Sequence, residues 1–265
     1  MLRPWLIEFC PTDRFRTALW ARFYRGKHAR WTHLYRSAAL RHNPRVTMEL
    51  LPGDVISDAI AFTGLYEREL TASLVKLARI GGVFIDVGAN LGYFSLLWTS
   101  LNSSNRCIAV EASPRNVGLL TKNIQRNGLQ ERIAIIPLAA GKSPGKCNFD
   151  LGPAEQTGWG GFTNQQNADS IEVDVLCVDD IVHDEDISLL KIDVEGADTW
   201  VLMGCEKLLK AKRIRNIWYE QNKSRMAALG IQEDEAQKFL RSLGYSVVAS
   251  NDERAELVQW CATLP

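Results

Sequence analysis

Residues 83–92 read Val83-Phe84-Ile85-Asp86-Val87-Gly88-Ala89-Asn90-Leu91-Gly92, and this stretch decides the fold. A short apolar run comes first, a glycine-containing turn follows, and a second apolar stretch continues to about residue 102. This order predicts a buried strand, a tight turn and a helix. Glycines in such a turn let the backbone approach a bound molecule closely, so the turn is a candidate ligand site.

The chemistry of the turn indicates a cationic ligand. Its spacing differs from the GxGxxG of dinucleotide-binding loops, because Asn90 replaces the middle glycine. Asp86, just before the turn, would repel a pyrophosphate and attract a positive charge. Glu111 lies 19 residues beyond Gly92, at the end of the next predicted strand, where an acid can accept hydrogen bonds from both ribose hydroxyls. S-adenosylmethionine carries a ribose, a sulfonium and an ammonium group, so it fits this pattern better than NAD.

Strands and helices alternate outward from this stretch. We predict helices at about 67–80, 92–102, 114–127, 197–210 and 232–243. Strands are predicted at 83–87, 107–111, 133–137, 189–193 and 214–220, with an antiparallel pair at 245–249 and 257–261. Short apolar strands that alternate with helices are typical of a parallel sheet covered on both faces, which makes this an α/β protein.

Two further segments receive a local prediction. Runs at 46–51 and 54–57, joined by Pro52-Gly53, predict a β-hairpin. Residues 152–170 are rich in Gly, Asn and Gln and predict a long functional loop.

The composition is that of a globular protein. The 265 residues include 31 basic and 31 acidic side chains, 46% hydrophobic residues and 23% charged residues, which excludes a disordered or fibrous chain. No run of 18 apolar residues occurs, and the N-terminus does not resemble a signal peptide, so we expect a cytoplasmic protein. The six cysteines lack a CxxC pattern, which predicts reduced thiols and no metal site.

The zero net charge hides a polarised chain. Residues 1–45 hold ten basic and two acidic side chains among many aromatic ones, and their spacing over 13–42 is helical. We therefore predict a helical extension over 1–45 and a catalytic domain over 46–265. The extension would pack on the domain or on a second copy, forming a homodimer. A membrane surface or nucleic acid is the alternative partner, although membrane contact is not favoured and DNA is not expected.

The second unusual motif is Lys191-Ile192-Asp193-Val194-Glu195-Gly196. Alternation in a strand would place Lys191, Asp193 and Glu195 on one side. A charged face on a central strand is costly unless its charges are paired or functional. Two explanations stay open, an internal ion pair with Lys191 and a ligand site at the carboxyl end of the strand. Both hold together if Lys191 is paired and Glu195 is free.

These motifs together resemble the FkbM-type S-adenosylmethionine-dependent methyltransferases. The resemblance spans about residues 60–220 and rests on the segments 64–67, 84–92, 110–114, 176–181 and 190–196. It implies the Rossmann-like class I fold, a seven-stranded sheet whose last strand is antiparallel. It also implies methyl transfer to a small-molecule acceptor, most often a hydroxyl of a sugar or polyketide, although relatives that methylate amide nitrogens make N-methylation an alternative.

The resemblance also carries residue roles onto this sequence. The predicted cofactor residues are Asp86, Gly88, Ala89, Asn90, Gly92, Glu111 and Ala112, with Ala139 near adenine. Apart from the resemblance, Tyr66 and Glu67 precede the cofactor domain and would close over the acceptor, with a plain helix N-terminus as the alternative. Trp159 would stack on a sugar or other ring, with an exposed turn as the alternative. A hydroxyl acceptor must lose a proton, for which the predicted catalytic carboxylates are Asp193, Glu195 and Glu220.

Two alternatives to these roles concern a histidine base and a metal site. His183 is a weaker base, because a solvated loop histidine accounts for it. Acids at 179, 180, 193 and 195 would suit a divalent metal only if the fold brought them together.

Overall fold

The computed structural model describes residues 15, 18–20, 22, 31–165, 170–182 and 185–265. The helices are α1 Thr32–Arg36, α2 Val55–Thr63, α3 Arg68–Ile80, α4 Tyr93–Leu101, α5 Pro114–Arg126, α6 Asp198–Met203, α7 Glu206–Lys210, α8 Lys223–Leu229 and α9 Glu235–Ser242. The strands are β1 Ala38–Ala39, β2 Thr47–Met48, β3 Val83–Val87, β4 Arg106–Val110, β5 Ile133–Ile136, β6 Ala139–Ala140, β7 Gly145–Asp150, β8 Gly161–Phe162, β9 Ser170–Leu176, β10 Ile187–Ile192, β11 Asn216–Asn222, β12 Ser246–Ala249 and β13 Leu257–Thr263.

Seven strands form the central sheet, in the order β12-β13-β11-β10-β3-β4-β5. The strands from β5 to β11 are parallel, whereas β13 runs antiparallel to both of its neighbours. The predicted α/β class and the antiparallel last strand are confirmed. Each predicted strand of this sheet is present within about two residues of its expected bounds.

The core lies on both faces of this sheet, as expected for parallel strands buried on both sides. Every residue of β3 is buried. Phe84 packs with Leu96 and Trp98 of α4 in one apolar cluster. Ile85 lies in a second cluster on the opposite face, with Val201 of α6. Asp86 therefore points to the same face as Phe84, since side chains alternate along a strand.

The predicted hairpin over 46–57 is wrong. β2 pairs antiparallel with β1, which lies inside the stretch predicted as helical over 13–42. Residues after Pro52-Gly53 form α2 instead of a second strand, because the Asp54 carboxylate caps that helix by accepting a hydrogen bond from Ser57 N at 2.8 Å. Such a cap stabilises the start of a helix, because the side chain accepts a hydrogen bond from a backbone N–H that has no partner within the helix.

The predicted helix over 197–210 is divided into α6 and α7. The break falls at Gly204, where an added Cβ would lie 2.1 Å from the backbone oxygen of Gly141. The backbone at Gly204 therefore passes so close to the segment after β6 that no side chain fits there. Helix α8, which the sequence did not predict, begins at Asn222, whose side chain accepts a hydrogen bond from Arg225 N.

A second sheet occupies much of the region between β5 and β10. Its strand order is β6-β9-β7-β8, with β7 antiparallel to both β8 and β9. The predicted loop over 152–170 contains β8 and the first residue of β9, so part of it is strand. The segment from residue 151 to residue 160 remains without regular structure.

The described part of the predicted extension, which spans residues 1–45, packs on the domain. Leu34, Tyr35, Ala38 and Leu40 are buried in the same cluster as Phe84. The Tyr35 hydroxyl donates a hydrogen bond to Asp58 at 2.5 Å. Most of residues 1–30 lie outside the described residues, so the division at residue 45 and the homodimer arm stay predictions. None of the described helices is long and apolar enough for a transmembrane span.

Candidate active site

A cavity of about 240 Å³ opens at the carboxyl ends of four central strands. Its wall includes Gly88 after β3, Glu111 after β4, Asp193 after β10 and Glu220 near the end of β11. The second sheet contributes Phe149 and Phe162. Ligands of open α/β sheets bind at this edge, so this cavity is the candidate site.

The glycine turn is clamped between two strands. Gly88 N and Ala89 N both donate hydrogen bonds to the carbonyl oxygen of Val110, at 2.9 and 3.0 Å. Gly88 has φ +76, and an added Cβ would lie 1.9 Å from the backbone oxygen of Asp193. Only glycine satisfies both the backbone angle and the close approach.

Glu111 fixes the far side of the turn. One of its carboxylate oxygens accepts a hydrogen bond from Asn90 N at 2.7 Å, and the other accepts from Ser113 N at 2.9 Å. Burial raises the pKa of this carboxyl group, while the hydrogen bonds from Ser113 and Asn90 lower it. A carboxylate has about four acceptor positions, so Glu111 retains capacity for a ligand's hydroxyl groups.

Four side chains of the cavity wall present buried polar atoms without a protein partner. They are Asn90 Oδ1, Ser113 Oγ, Asn116 Oδ1 and Thr157 Oγ1. A buried polar atom left without a hydrogen bond costs about 1–3 kcal/mol, so such atoms mark a place where a polar ligand or water belongs. Their concentration around Glu111 indicates a ligand rich in polar groups at this end.

Asp86 does not line the cavity but lies beneath the turn. Its carboxylate accepts a hydrogen bond from Ser95 Oγ at 2.6 Å and lies 3.5 Å from Lys191 Nζ. Lys191 Nζ also lies 3.4 Å from Asp193 and donates a hydrogen bond to the carbonyl oxygen of Gly88 at 3.3 Å. The hypothesis of an internal ion pair at Lys191 is therefore confirmed, and the pair supports the turn from below.

An acid cluster, defined by Glu67, Asp193, Glu195 and Glu220, also lines the cavity. A free Glu195 beside a paired Lys191 is one expectation from the sequence, but Glu195 has partners. Its carboxylate accepts a hydrogen bond from Asn222 Nδ2 at 3.1 Å and lies 3.4 Å from Arg225 Nε. Glu220 accepts a hydrogen bond from Gln259 Nε2.

Burial and the repulsion between neighbouring carboxylates raise the pKa of three members of this cluster, Glu67, Glu195 and Glu220. Burial raises the pKa of Glu67 to about 7, with the negative charge of Asp193 as the next cause. Burial raises the pKa of Glu220 to about 9, assisted by Asp193 and Asp198. Burial also raises the pKa of Glu195, although Arg225 and Asn222 lower it. Carboxyl groups that ionise near neutral pH are suited to proton transfer.

The segment 151–160 crosses the cavity and is tied down by side chains. The guanidinium of Arg115 donates hydrogen bonds to the carbonyl oxygens of Leu151, Pro153 and Gln156. Asn116 Nδ2 donates to Thr157 O at 2.9 Å, and Thr157 N donates to Asp54 Oδ1 at 2.9 Å. The segment therefore forms a fixed wall of the site.

Three exposed apolar side chains surround the mouth of the cavity, and we call them the apolar rim. They are Val55, Trp159 and Leu257, which are 59%, 51% and 46% exposed. Trp159 lies beside the acid cluster, because its carbonyl oxygen accepts a hydrogen bond from Arg225, which also pairs with Glu195. Such grouped exposure at a cavity mouth is typical of a ligand-binding surface.

The fold brings most of the predicted site residues together. Those on the cavity wall are Gly88, Asn90, Glu111, Ala112, Ala139, Asp193, Glu195, Glu220, Tyr66, Glu67 and Trp159. Ala89 and Gly92, like Asp86, are absent from the described wall of the cavity. His183 lies outside the described residues.

The metal alternative gains no support from the described part of the chain. Asp179 accepts hydrogen bonds from the backbone of Lys207 and Leu208, so it caps α7 instead of facing the cavity. The described residues contain no group of three or more side chains that could hold a metal ion.

Asp54, Asn116 and Thr157 were missed by the sequence reasoning. Asp54 followed three residues later by Ser57 was available as a helix-start signal, but Pro52-Gly53 favoured a hairpin. Asn116 and Thr157 carry no local signal, because their roles depend on the crossing of segment 151–160.

Comparison with known proteins decides the family. The methyltransferase FkbM domain matches residues 86–247, which is more than half of the chain. The chain belongs to the FkbM methyltransferase family. The predicted family is thereby confirmed, and the matched range includes both the glycine turn and the Lys191–Gly196 motif.

Three solved structures are among those similar to this FkbM family member. A structure of methyltransferase FkbM from Methylobacillus flagellatus KT shares 15% identity and a TM-score of 0.50, and the match covers 80% of this chain but only 56% of that one. A precorrin-6y C5,15-methyltransferase from Geobacter metallireducens GS-15 shares 15% identity, with a TM-score of 0.44 and coverage of 76% and 90%. TrmK of M. capricolum, solved with S-adenosyl-homocysteine, shares 14% identity, with a TM-score of 0.43 and coverage of 75% and 67%. No curated protein sequence matches this FkbM family member.

Proposed function

We propose that this protein transfers a methyl group from S-adenosylmethionine to a hydroxyl of a small-molecule acceptor. One observation carries the proposal. A single cavity joins unpaired polar atoms around the glycine turn to an acid cluster in which burial raises the pKa of Glu67 to about 7. The first end suits a polar cofactor, and the second suits removal of a proton from the acceptor.

The residues of the first end fit the cofactor's chemistry. Glu111 would accept hydrogen bonds from the ribose, and Asn90 Oδ1 and Ser113 Oγ have polar atoms without protein partners. Ala112 and Ala139, with small side chains, leave room for a flat ring against the backbone. When bound, S-adenosylmethionine supplies an electrophilic methyl group on a positively charged sulfur.

The chain's own contribution is alignment and proton removal. Methyl transfer requires the acceptor oxygen, the methyl carbon and the sulfur to lie in line, and holding reactants in such a geometry supplies much of the rate. The fixed turn at Gly88 and the tied segment 151–160 define where the two molecules meet. A carboxylate of the acid cluster receives the proton that the acceptor hydroxyl loses.

The apolar rim supports an acceptor with an apolar or ring-shaped body. Trp159 provides an aromatic face on which a sugar ring or a polyketide surface can lie. Val55 and Leu257 extend this surface around the cavity mouth. The adjacent carboxyl groups of Glu195 and Glu220 can accept hydrogen bonds from additional hydroxyl groups. An amide nitrogen as acceptor is the alternative outcome of the test below.

Calorimetry and mass spectrometry test this function. The wild-type protein is expected to bind S-adenosylmethionine, and Glu111→Ala and Glu111→Gln are expected to weaken binding at least tenfold, about 1.4 kcal/mol. Glu131→Ala, at an exposed position, is the matched control. Expression in a host lacking the gene is then expected to yield a metabolite with one added O-methyl group. Failure of the wild-type protein to bind the cofactor would overturn the proposal, and an N-methylated product would favour the alternative.

A further inference from the structure

Glu67 has an unusual backbone conformation for its residue type. Its φ is +41, and it is one of four described non-glycine residues with positive φ, together with Asn90, Glu195 and Lys212. Three of these four line the cavity. Holding a non-glycine residue in this region costs roughly 1–3 kcal/mol, and such strain is concentrated at functional sites.

Neighbouring contacts hold Glu67 in this conformation. Thr71 N donates a hydrogen bond to Glu67 O at 2.8 Å, and Thr71 Oγ1 donates to Tyr66 O at 2.5 Å. The ring of Tyr66 packs edge-on against Tyr93. Glu67 precedes α3 but makes no side-chain cap for that helix. Its carboxyl group lies at the cavity wall instead.

The other three members of the acid cluster are already engaged. Asp193 pairs with Lys191, Glu195 pairs with Arg225 and Asn222, and Glu220 accepts from Gln259. Among the ion pairs of the described chain, none includes Glu67. Its carboxyl group receives a hydrogen bond from Tyr66. Glu67 and Glu220 are thus the two cluster members that hydrogen-bond to a neutral donor and form no ion pair, and of these Glu67 is the one that combines a strained backbone with a pKa of about 7.

We propose that Glu67 is the catalytic residue that accepts the proton of the acceptor hydroxyl. This inference rests on the proposed function. The acceptor's O–H bond breaks as its oxygen forms a bond to the methyl carbon, and the bond between methyl carbon and sulfur breaks with its electron pair moving to sulfur. The proton passes to the Glu67 carboxylate, which becomes neutral and later releases it to solvent. The products are the methylated acceptor and S-adenosylhomocysteine.

The charges around Glu67 suit this role. Asp193 and Lys191 face it from the end of β10, Asp86 from β3 and Glu220 from β11. The negative charges raise the pKa of Glu67, while Lys191 and the Tyr66 hydroxyl lower it, and burial makes the largest upward contribution. A base whose proton affinity is balanced near neutral pH is efficient in both accepting and releasing a proton.

The first test does not depend on turnover. The full-length protein, labelled with ¹³C at glutamate side chains, is titrated by NMR with and without S-adenosylmethionine. One carboxyl signal that Glu67→Gln removes is expected to titrate near pH 7 in the free protein. Glu67→Asp, which removes the same labelled glutamate, identifies the signal if Glu67→Gln does not fold. A Glu67 signal that titrates below pH 5 would overturn the assignment.

The second test measures turnover. Its acceptor is the unmethylated form of the metabolite that gains a methyl group in the expression experiment. Glu67→Gln is expected to lower kcat at least 100-fold while S-adenosylmethionine affinity changes less than threefold, and Glu67→Asp should retain part of the rate. Glu69→Gln, an exposed position in the first turn of α3, is the matched control. Wild-type kcat/KM should rise with pH and level off above about 7, and this inflection should be absent in Glu67→Gln.

The outcomes separate this inference from the proposed function. A wild-type protein that binds no cofactor and methylates nothing overturns the proposed function. A wild-type protein that transfers methyl groups, with Glu67→Gln retaining full kcat and the same pH profile, overturns the role of Glu67 alone.

Discussion

The ammonium group of Lys191 lies 3.5 Å from the carboxylate of Asp86, and the two residues are direct partners across β10 and β3. Both side chains are almost completely buried. Because Lys191 also donates a hydrogen bond to the Gly88 carbonyl oxygen, the ion pair connects the central strands to the conformation of the glycine turn. The charge of Asp86 thus serves the architecture of the site without lining its cavity.

Breaking this pair should destabilise the protein strongly. Lys191→Met leaves the carboxylate of Asp86 buried without its partner. Removing one partner of a buried ion pair lowers the free energy of unfolding by about 3–5 kcal/mol. The double variant Asp86→Asn/Lys191→Met should recover part of that loss, because the amide can still accept the hydrogen bond from Ser95. Urea unfolding measures both. Equal stability of the single and double variants would contradict the pairing argument.

Gly88→Ala should abolish cofactor binding. The added methyl group would lie 1.9 Å from the Asp193 backbone oxygen, in addition to the strain of a positive φ. Gly118→Ala is the control, since its Cβ meets no heavy atom within 4 Å and the position lies inside α5. We expect the control to bind S-adenosylmethionine normally and to gain about 0.5–1 kcal/mol in stability. Calorimetry that shows unchanged affinity for Gly88→Ala would argue against this geometry.

Arg115→Ala should release segment 151–160. The variant loses three hydrogen bonds to backbone carbonyls, and a charged hydrogen bond contributes about 1.5–3 kcal/mol. Hydrogen exchange at the Thr157 amide should accelerate at least tenfold, whereas exchange in β3 should not change. Arg254→Ala, at an exposed position, provides the control. Unaltered exchange in residues 151–157 would show that other contacts fix the segment.

Stability should fall as pH rises through the neutral range. The pKa of Glu220 is raised to about 9 in the folded protein, mainly by burial, against an ordinary value of 4.5. Between these values the folded state binds more protons than the unfolded state, so the free energy of unfolding decreases with increasing pH. Asp198, with its pKa raised to about 8 by burial, acts in the same direction.

Glu220→Gln should therefore flatten this pH dependence. Urea unfolding at pH 5, 7 and 9 measures the slope, and Glu155→Gln at an exposed position is the control. A wild-type protein that becomes more stable toward pH 9, or a variant with the wild-type slope, would contradict the assignment.

Local patterns predict the central sheet because each of its strands is a short apolar run in the sequence. Val83–Val87 is short, apolar and followed by a glycine turn, and the Lys191–Gly196 motif marks the end of β10 in a similar way. The register that pairs Lys191 with Asp86 is a property of two strands about a hundred residues apart. The sequence therefore indicated that these charges needed partners but left the partners open.

The remaining parts of the site depend on contacts that no local pattern encodes. The sequence predicts a strand at Asp54, although its carboxylate caps α2 and accepts a hydrogen bond from Thr157 N. The partner of Glu195 is Arg225, on a helix that the sequence did not predict. Distant segments meet at both positions, and their side chains have several plausible partners until the fold selects one.

The position of β13 in the sheet has a consequence for the order of assembly. This strand lies between β11 and β12, yet it is synthesised after every other described strand of the sheet. It provides Leu257 of the apolar rim and Gln259, the partner of Glu220. On the ribosome, the segments that surround Glu111 can therefore associate while the part of the cavity that contains Glu220 and Leu257 is still unfinished. The wall that Leu257 contributes to the cavity is complete only when the end of β13 has been translated and inserted between its two neighbours.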